Sequence, residues 1–174
     1  MATFRLGEPG EGGQVGTLSA GGMDFFREVF ARSGPVSNDE LRVMWHGREM
    51  QLARRAVPLI VVDIRSTTDL HPHIEVRSVD IGADWGQTSQ PGVTAITYNG
   101  GYTTVLLAIR MPEIICDIAD NLRDHVVDDL CTVWPLCPTD GLGLDPRVVG
   151  DDAVWYCRVQ NHVAARIGEL AARR

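Results

Sequence analysis

The sequence lacks the features that would place it in a membrane or on nucleic acid. Its longest apolar run, residues 57–62, is far shorter than the roughly 18 residues of a membrane span. It has 16 basic and 23 acidic residues and a net charge of -7, whereas phosphate binding requires a clustered excess of positive charge. Residues 1–22 lack the basic and then apolar segments of an export signal. We therefore expect a cytoplasmic protein with neither nucleic-acid nor membrane partners.

Recognisable catalytic signatures are also missing. The glycines at positions 10 and 12 follow no predicted strand and lack the lysine of a Walker motif, so they indicate a linker rather than a phosphate loop. No nucleophilic triad, dinucleotide fingerprint or carboxylate pair with supporting context is evident. His46 is isolated in the sequence and predicts only packing or a surface position. The four cysteines are expected to be thiols or metal ligands before disulfides.

A hydrophobic fraction of 44% is ordinary for a globular protein. Apolar spacing predicts helices over 23–32 and 113–130, and the capping-box pair Ser37 and Glu40 predicts the start of another. Alternating or β-branched segments predict four strands, at 59–64, 74–81, 93–98 and 102–109.

The predicted fold class is α+β. It comprises an antiparallel β-meander packed by one long helix, with N-terminal helices and a small C-terminal ribbon-like module. The predicted organisation is a flexible Gly-rich arm at 1–22, an α+β core domain at 23–131 and the C-terminal module at 132–174. Within that module, a Gly/Pro-rich loop is expected over 141–150, followed by two strands near 153–157 and 162–167.

Exposed aromatic side chains are candidates for binding a partner. Phe25, Phe26 and Phe30 lie at helical spacing on the first helix, and Trp85 lies in a polar loop where contact residues concentrate. Core packing is the alternative for the three phenylalanines.

The candidate metal ligands are Cys137, Asp140, Cys157 and His162. Zinc prefers cysteine and histidine in closed structural sites and accepts an aspartate oxygen. In the alternative interpretation, Cys137 and Cys157 are small buried thiols with no metal, and Trp134 fills the core together with Trp155. The cofactor is therefore either none or a structural zinc.

These residues carry a resemblance. The segments Trp134-Pro135-Leu136-Cys137-Pro138, Val154-Trp155-Tyr156-Cys157 and 163–170 resemble the C-terminal part of small uncharacterised actinobacterial proteins. In that group the pattern is Trp-Pro-x-Cys-Pro-x-His followed by Val-Trp-x-Cys. The resemblance implies a fold neighbour and no activity. This chain departs from the pattern at Asp140, which stands where the group has histidine.

The sequence favours a non-enzymatic interaction or assembly subunit, which would use its N-terminal arm and exposed aromatics to bind a protein partner or a second copy of itself. A component of a larger particle, for example a phage virion, falls within this class. The alternative is a small metal-dependent enzyme with its site at the C-terminal module.

Overall fold

A computed structural model describes residues 20–81, 90–106, 108 and 110–171. Over these residues the chain forms three helices and six strands, which confirms the α+β class. Within the same ranges no helix combines the length and apolar character needed to cross a bilayer. In chain order the elements are α1 (Ala20–Ser33), α2 (Asn38–Thr67), β1 (Ile74–Ile81), β2 (Gln90–Tyr98), β3 (Gly101–Val105), α3 (Met111–Leu130), β4 (Asp145–Val149), β5 (Asp152–Cys157) and β6 (His162–Arg166).

The chain divides into two compact units, Met1–Leu41 and Arg42–Arg174. The first unit contains α1 and the start of α2, where the predicted capping box is present. Glu40 Oε2 accepts hydrogen bonds from the backbone N and the Oγ of Ser37, each at 2.8 Å, and the Glu40 N–H donates to Ser37 Oγ at 3.2 Å. Most of the predicted arm, residues 1–19, lies outside the described residues.

Helix α2 continues through residues 59–64, where we predicted a strand, so that prediction is wrong. Ala56, Ile60 and Ile64 are fully buried at a spacing of four residues, whereas Val62 between them is 52% exposed. This is the burial pattern of a helix. A short run of branched apolar residues suits a buried helix as well as a buried strand, and packing in the folded protein decides between them.

The first sheet has the order β1-β2-β3 and is antiparallel throughout. Ser78 in β1 is the register partner of Thr94 in β2. The predicted hairpin between β2 and β3 is confirmed, because Asn99 and Gly100 both have positive φ, at 49° and 88°.

The second sheet has the order β4-β5-β6. Strand β4 occupies residues that we expected to be a loop, so that expectation is wrong. The proline and glycines of this stretch suggested a loop, but Pro146 lies on an edge strand, where a missing N–H group is tolerated. Gly150, at φ 62°, forms the turn into β5.

One hydrophobic core joins α2, α3 and both sheets. The apolar face of α3 buries Ile114, Ile118, Leu122 and Val126 completely. The same core includes Trp155 and its neighbours from the C-terminal module. The predicted boundary at residue 132 therefore lies inside the compact unit Arg42–Arg174.

Candidate metal centre

Cys137 lies in a short antiparallel turn, residues 134–144, which we call the knuckle. The Cys137 N–H donates to the Leu142 carbonyl at 2.7 Å, and the Leu144 N–H donates to the Pro135 carbonyl at 2.9 Å. Gly141 has φ 76°, a left-handed conformation that suits glycine, and its N–H donates to the Cys137 carbonyl at 2.9 Å. These bonds fix the backbone on both sides of Cys137, whose side chain is fully buried.

Cys157 and His162 lie on the neighbouring hairpin. Cys157 is the last residue of β5, His162 is the first of β6, and the two are register partners. Asn161, at φ 53°, adopts the left-handed conformation that brings the chain back into β6. The four-residue loop 158–161 therefore brings both side chains to the same end of the hairpin.

Three of the four predicted ligands, Cys137, Asp140 and Cys157, meet where the knuckle approaches this hairpin, and His162 contacts Cys137 from the hairpin side. Cys137 Sγ is 3.5 Å from His162 Nε2, and Cys157 Sγ is 3.2 Å from Asp140 Oδ2. Ligand atoms of Cys137, Asp140 and Cys157 all lie within 4.8 Å of one another. These three residues could hold a metal ion. In a tetrahedral zinc site, bond lengths of about 2.0–2.3 Å place neighbouring ligand atoms about 3.5 Å apart, close to these 3.5 Å and 3.2 Å separations.

Asp140 is oriented as an acceptor toward the cysteines. Its Oδ1 accepts the Leu142 N–H at 2.9 Å, and its Oδ2 accepts the Cys157 thiol. The Leu142 amide is the main reason why the pKa of Asp140 is lowered; both cysteine thiols and His162 add to the effect, and desolvation opposes it. Asp140, which stands where the actinobacterial pattern has histidine, thus supplies an ionised oxygen ligand that already points at the thiols.

Backbone amides surround the sulfur of Cys157. The N–H groups of Gln160 and Val159 hydrogen bond to it and lower the pKa of the thiol, but burial and the Asp140 carboxylate outweigh them and leave that pKa raised. A metal ion between the side chains would remove the repulsion between thiolate and carboxylate. The amides would then act as outer partners of a bound thiolate.

No family model, curated protein or solved structure matches this chain. The resemblance to the actinobacterial group therefore remains a prediction.

Two tryptophans attach the centre to the end of α2. Trp155 Nε1 donates to Asp63 Oδ2 at 2.6 Å, and Trp134 Nε1 donates to Thr67 Oγ1 at 2.8 Å, one helical turn further on. The two indole rings pack edge to face, with centroids 5.5 Å apart. Because each tryptophan lies two or three residues before a cysteine, α2 fixes both chain segments that carry the sulfur ligands.

Asp63 is the buried anchor of this contact. Besides Trp155, it accepts the N–H groups of Gly168 at 2.7 Å and Leu170 at 2.8 Å. Desolvation raises the pKa of Asp63, and these three donors oppose that shift. The carboxylate is fully buried, so it depends on those donors to replace its lost hydration.

The candidate partner-binding residues differ in exposure. Phe25 is 6% exposed, whereas Phe30 is 41% exposed and stacks on Phe26 with ring centroids 6.4 Å apart. Trp85 lies outside the described residues. Partner binding by these four residues remains a prediction.

Sequence analysis missed a polar cluster formed by His46, Glu49, Ser78 and Thr94. Its members come from α2, β1 and β2 and share no motif. The spacing of three residues between His46 and Glu49 is the one available signal, since it places both side chains on the same side of a helix.

Proposed function

We propose that this protein is an interaction or assembly subunit whose C-terminal module is closed by a structural zinc ion. The observation that carries the proposal is the convergence of two thiols and one carboxylate from the knuckle and the β5-β6 hairpin, with the imidazole of His162 3.5 Å from one of those thiols. Such a donor set suits zinc, whereas calcium and magnesium prefer oxygen ligands.

A structural role follows from the number of ligands. Four protein ligands complete a tetrahedral zinc site, while catalytic zinc keeps one position for water or substrate. With His162 as the fourth ligand beside Cys137, Asp140 and Cys157, no position would remain for a substrate. The donor set therefore supports a structural zinc better than a metal-dependent enzyme at this module.

The metal would also fix an exposed apolar surface. Val159 is 70% exposed in the loop between Cys157 and His162, and Val163, which follows His162, is 46% exposed. Ligands at both ends of that loop would hold it in one conformation, which lowers the entropy cost of binding a partner. Together with exposed Phe30, these side chains support a protein partner or homo-oligomer.

Zinc content tests the metal. We expect one zinc ion per chain by elemental mass spectrometry after extensive dialysis, and loss of that ion in Cys137→Ser and Cys157→Ser. Cys131→Ser is the matched control, because Cys131 is an exposed thiol. Wild-type protein without stoichiometric zinc would contradict the metal assignment.

Size and capture measurements test the assembly role. We expect light scattering to show an oligomer, or pull-down to recover a defined partner, and we expect Val159→Asp with Val163→Asp to weaken either result while zinc remains bound. A monodisperse monomer that binds nothing would contradict this part of the proposal.

A further inference from the structure

His46 lies between two hydroxyl side chains. Its Nε2 is 3.0 Å from Ser78 Oγ, and its Nδ1 is 3.1 Å from Thr94 Oγ1. Ser78 and Thr94 are register partners on adjacent strands, so their side chains project from the same face of the sheet. The imidazole of α2 therefore bridges β1 and β2, with Ser78 on the exposed side and Thr94 fully buried.

Glu49 gives this chain of hydrogen bonds a direction. It is 3% exposed, and Thr94 hydrogen bonds to its carboxylate through both the side chain and the backbone. When Glu49 is ionised, its carboxylate only accepts, so the Thr94 hydroxyl donates its proton to Glu49 and accepts from His46 Nδ1. Nε2 of His46 then carries the lone pair and accepts the Ser78 hydroxyl proton.

We propose that Ser78 is a nucleophile activated by His46, and that it accepts the acyl group of a small carboxylic ester. A nucleophile and a base within 2.6–3.2 Å, with the base oriented by a third group, is the arrangement that activates serine. Ser78 is exposed and so is accessible to a substrate. None of the candidate metal ligands takes part, so this inference goes beyond the proposed function and is independent of it.

The reaction balances with these two residues, the ester and water. Ser78 Oγ forms a bond to the acyl carbon while its proton moves to His46 Nε2. The bond from the acyl carbon to the leaving oxygen then breaks, and the alcohol departs with that proton. A water molecule next attacks the Ser78 ester, His46 accepts the water proton, and the carboxylic acid leaves with Ser78 restored.

Thr94 and Glu49 are positioning residues in this scheme, because neither touches the ester. They hold His46 in the tautomer that is protonated at Nδ1, so the lone pair of Nε2 faces the Ser78 hydroxyl. Glu49 Oε1 has no hydrogen-bond partner among the residues that the structure describes. Among these residues, no other donor therefore competes for the second oxygen of the Glu49 carboxylate. The orientation of the His46 imidazole depends on Thr94, which links it to Glu49.

The test is covalent labelling of the full-length protein with a fluorophosphonate, located by peptide mass spectrometry. The Ser78 oxygen displaces fluoride from phosphorus, and His46 takes the proton. We expect stoichiometric label on Ser78, and acetylation of the same residue with an early burst from p-nitrophenyl acetate. His46→Gln should slow labelling by about 100-fold or more, the usual contribution of a general base.

The variants at Thr94 separate positioning from mere packing. Thr94→Val should slow labelling at least tenfold, and Thr94→Ser should restore it, because the serine hydroxyl can make the same two bonds. Ser33→Ala, at another exposed serine, should label as the wild type does, and circular dichroism checks that each variant is folded. Folded wild-type protein without label on Ser78, or His46→Gln labelled at the wild-type rate, would overturn the proposal.

Discussion

The Sγ atom of Cys137 lies 3.5 Å from Nε2 of His162, although the two residues are 25 positions apart in the chain. The knuckle supplies one atom and the β5-β6 hairpin the other, and Asp140 makes the corresponding contact with Cys157. The knuckle and the hairpin are thus joined by two side-chain contacts. A metal ion between them would replace two weak contacts with four ligand bonds.

Substitutions of Asp140 should change zinc affinity in opposite directions. Asp140→Ala removes a ligand and should weaken binding by more than the 10–100-fold typical of losing an outer partner. Asp140→His should strengthen binding, because zinc prefers imidazole in closed sites. Competition with a chromophoric chelator measures both. His71→Ala, at an exposed histidine, is the control; equal affinities for all these proteins would show that Asp140 is not a ligand.

Removal of zinc should destabilise the C-terminal module and the hydrophobic core that this module forms together with α2, α3 and the first sheet. Zinc at 1,000 times its dissociation constant contributes about 4 kcal/mol to the free energy of unfolding. In a chain of this size that corresponds to a fall in Tm of about 8–16 °C on chelation. Scanning calorimetry with and without a chelator measures the shift. The effect should disappear in Cys157→Ser, and an unchanged wild-type Tm would argue against a structural metal.

Asp63→Ala should destabilise the fold more than any exposed aspartate substitution. It leaves the Trp155 indole and the N–H groups of Gly168 and Leu170 buried without an acceptor. At about 1 kcal/mol or more for each donor, the expected loss is about 3 kcal/mol or more. Urea denaturation measures it, and Asp69→Ala, at an exposed position, should stay within about 0.5 kcal/mol of the wild type. If Asp63→Ala lost no more stability than Asp69→Ala, that result would contradict the role of Asp63 as an anchor.

Glu49 should make stability fall as pH rises through the weakly acidic range. Burial raises the pKa of Glu49 from 4.5 to about 7, although Thr94 opposes the shift. Between those values the native state binds a proton that the unfolded state has released. The free energy of unfolding therefore decreases from pH 4.5 to 7, by up to about 3 kcal/mol.

Glu49→Gln isolates this contribution. The variant should lose that part of the pH dependence while keeping the part from other groups, including Asp63, whose pKa is also raised. Urea denaturation at a series of pH values measures the difference. Parallel curves for the wild type and Glu49→Gln would show that Glu49 titrates in the native state as it does in the unfolded chain.

The sequence predicted the elements whose signals are local. The apolar period of α3, the capping box at Ser37 and the positive-φ turn at Asn99 each depend on neighbouring residues. The strand in place of the second half of α2 was a wrong prediction, because only packing against the core distinguishes the two for a short branched run. Strand β4 was not predicted because it contains Pro146. A proline disfavours a central strand but is tolerated on an edge strand such as β4.

The two candidate sites differ in how well they could be predicted from the sequence. The candidate metal ligands form pairs close in the chain, Cys137 with Asp140 and Cys157 with His162, so their spacing was informative. The cluster around His46 requires β1 to pair with β2 in one register and α2 to lie against that face. No spacing in the sequence encodes those distances.

X-ray absorption at the zinc edge tests the central claim most directly. For the purified protein we predict a shell of two sulfur atoms at about 2.3 Å and two nitrogen or oxygen atoms at about 2.0–2.1 Å. Asp140→His should keep the same count, and Cys157→Ser should lose a sulfur. A zinc shell of nitrogen and oxygen alone, or protein that retains no zinc, would contradict the assignment of Cys137, Asp140, Cys157 and His162 as ligands.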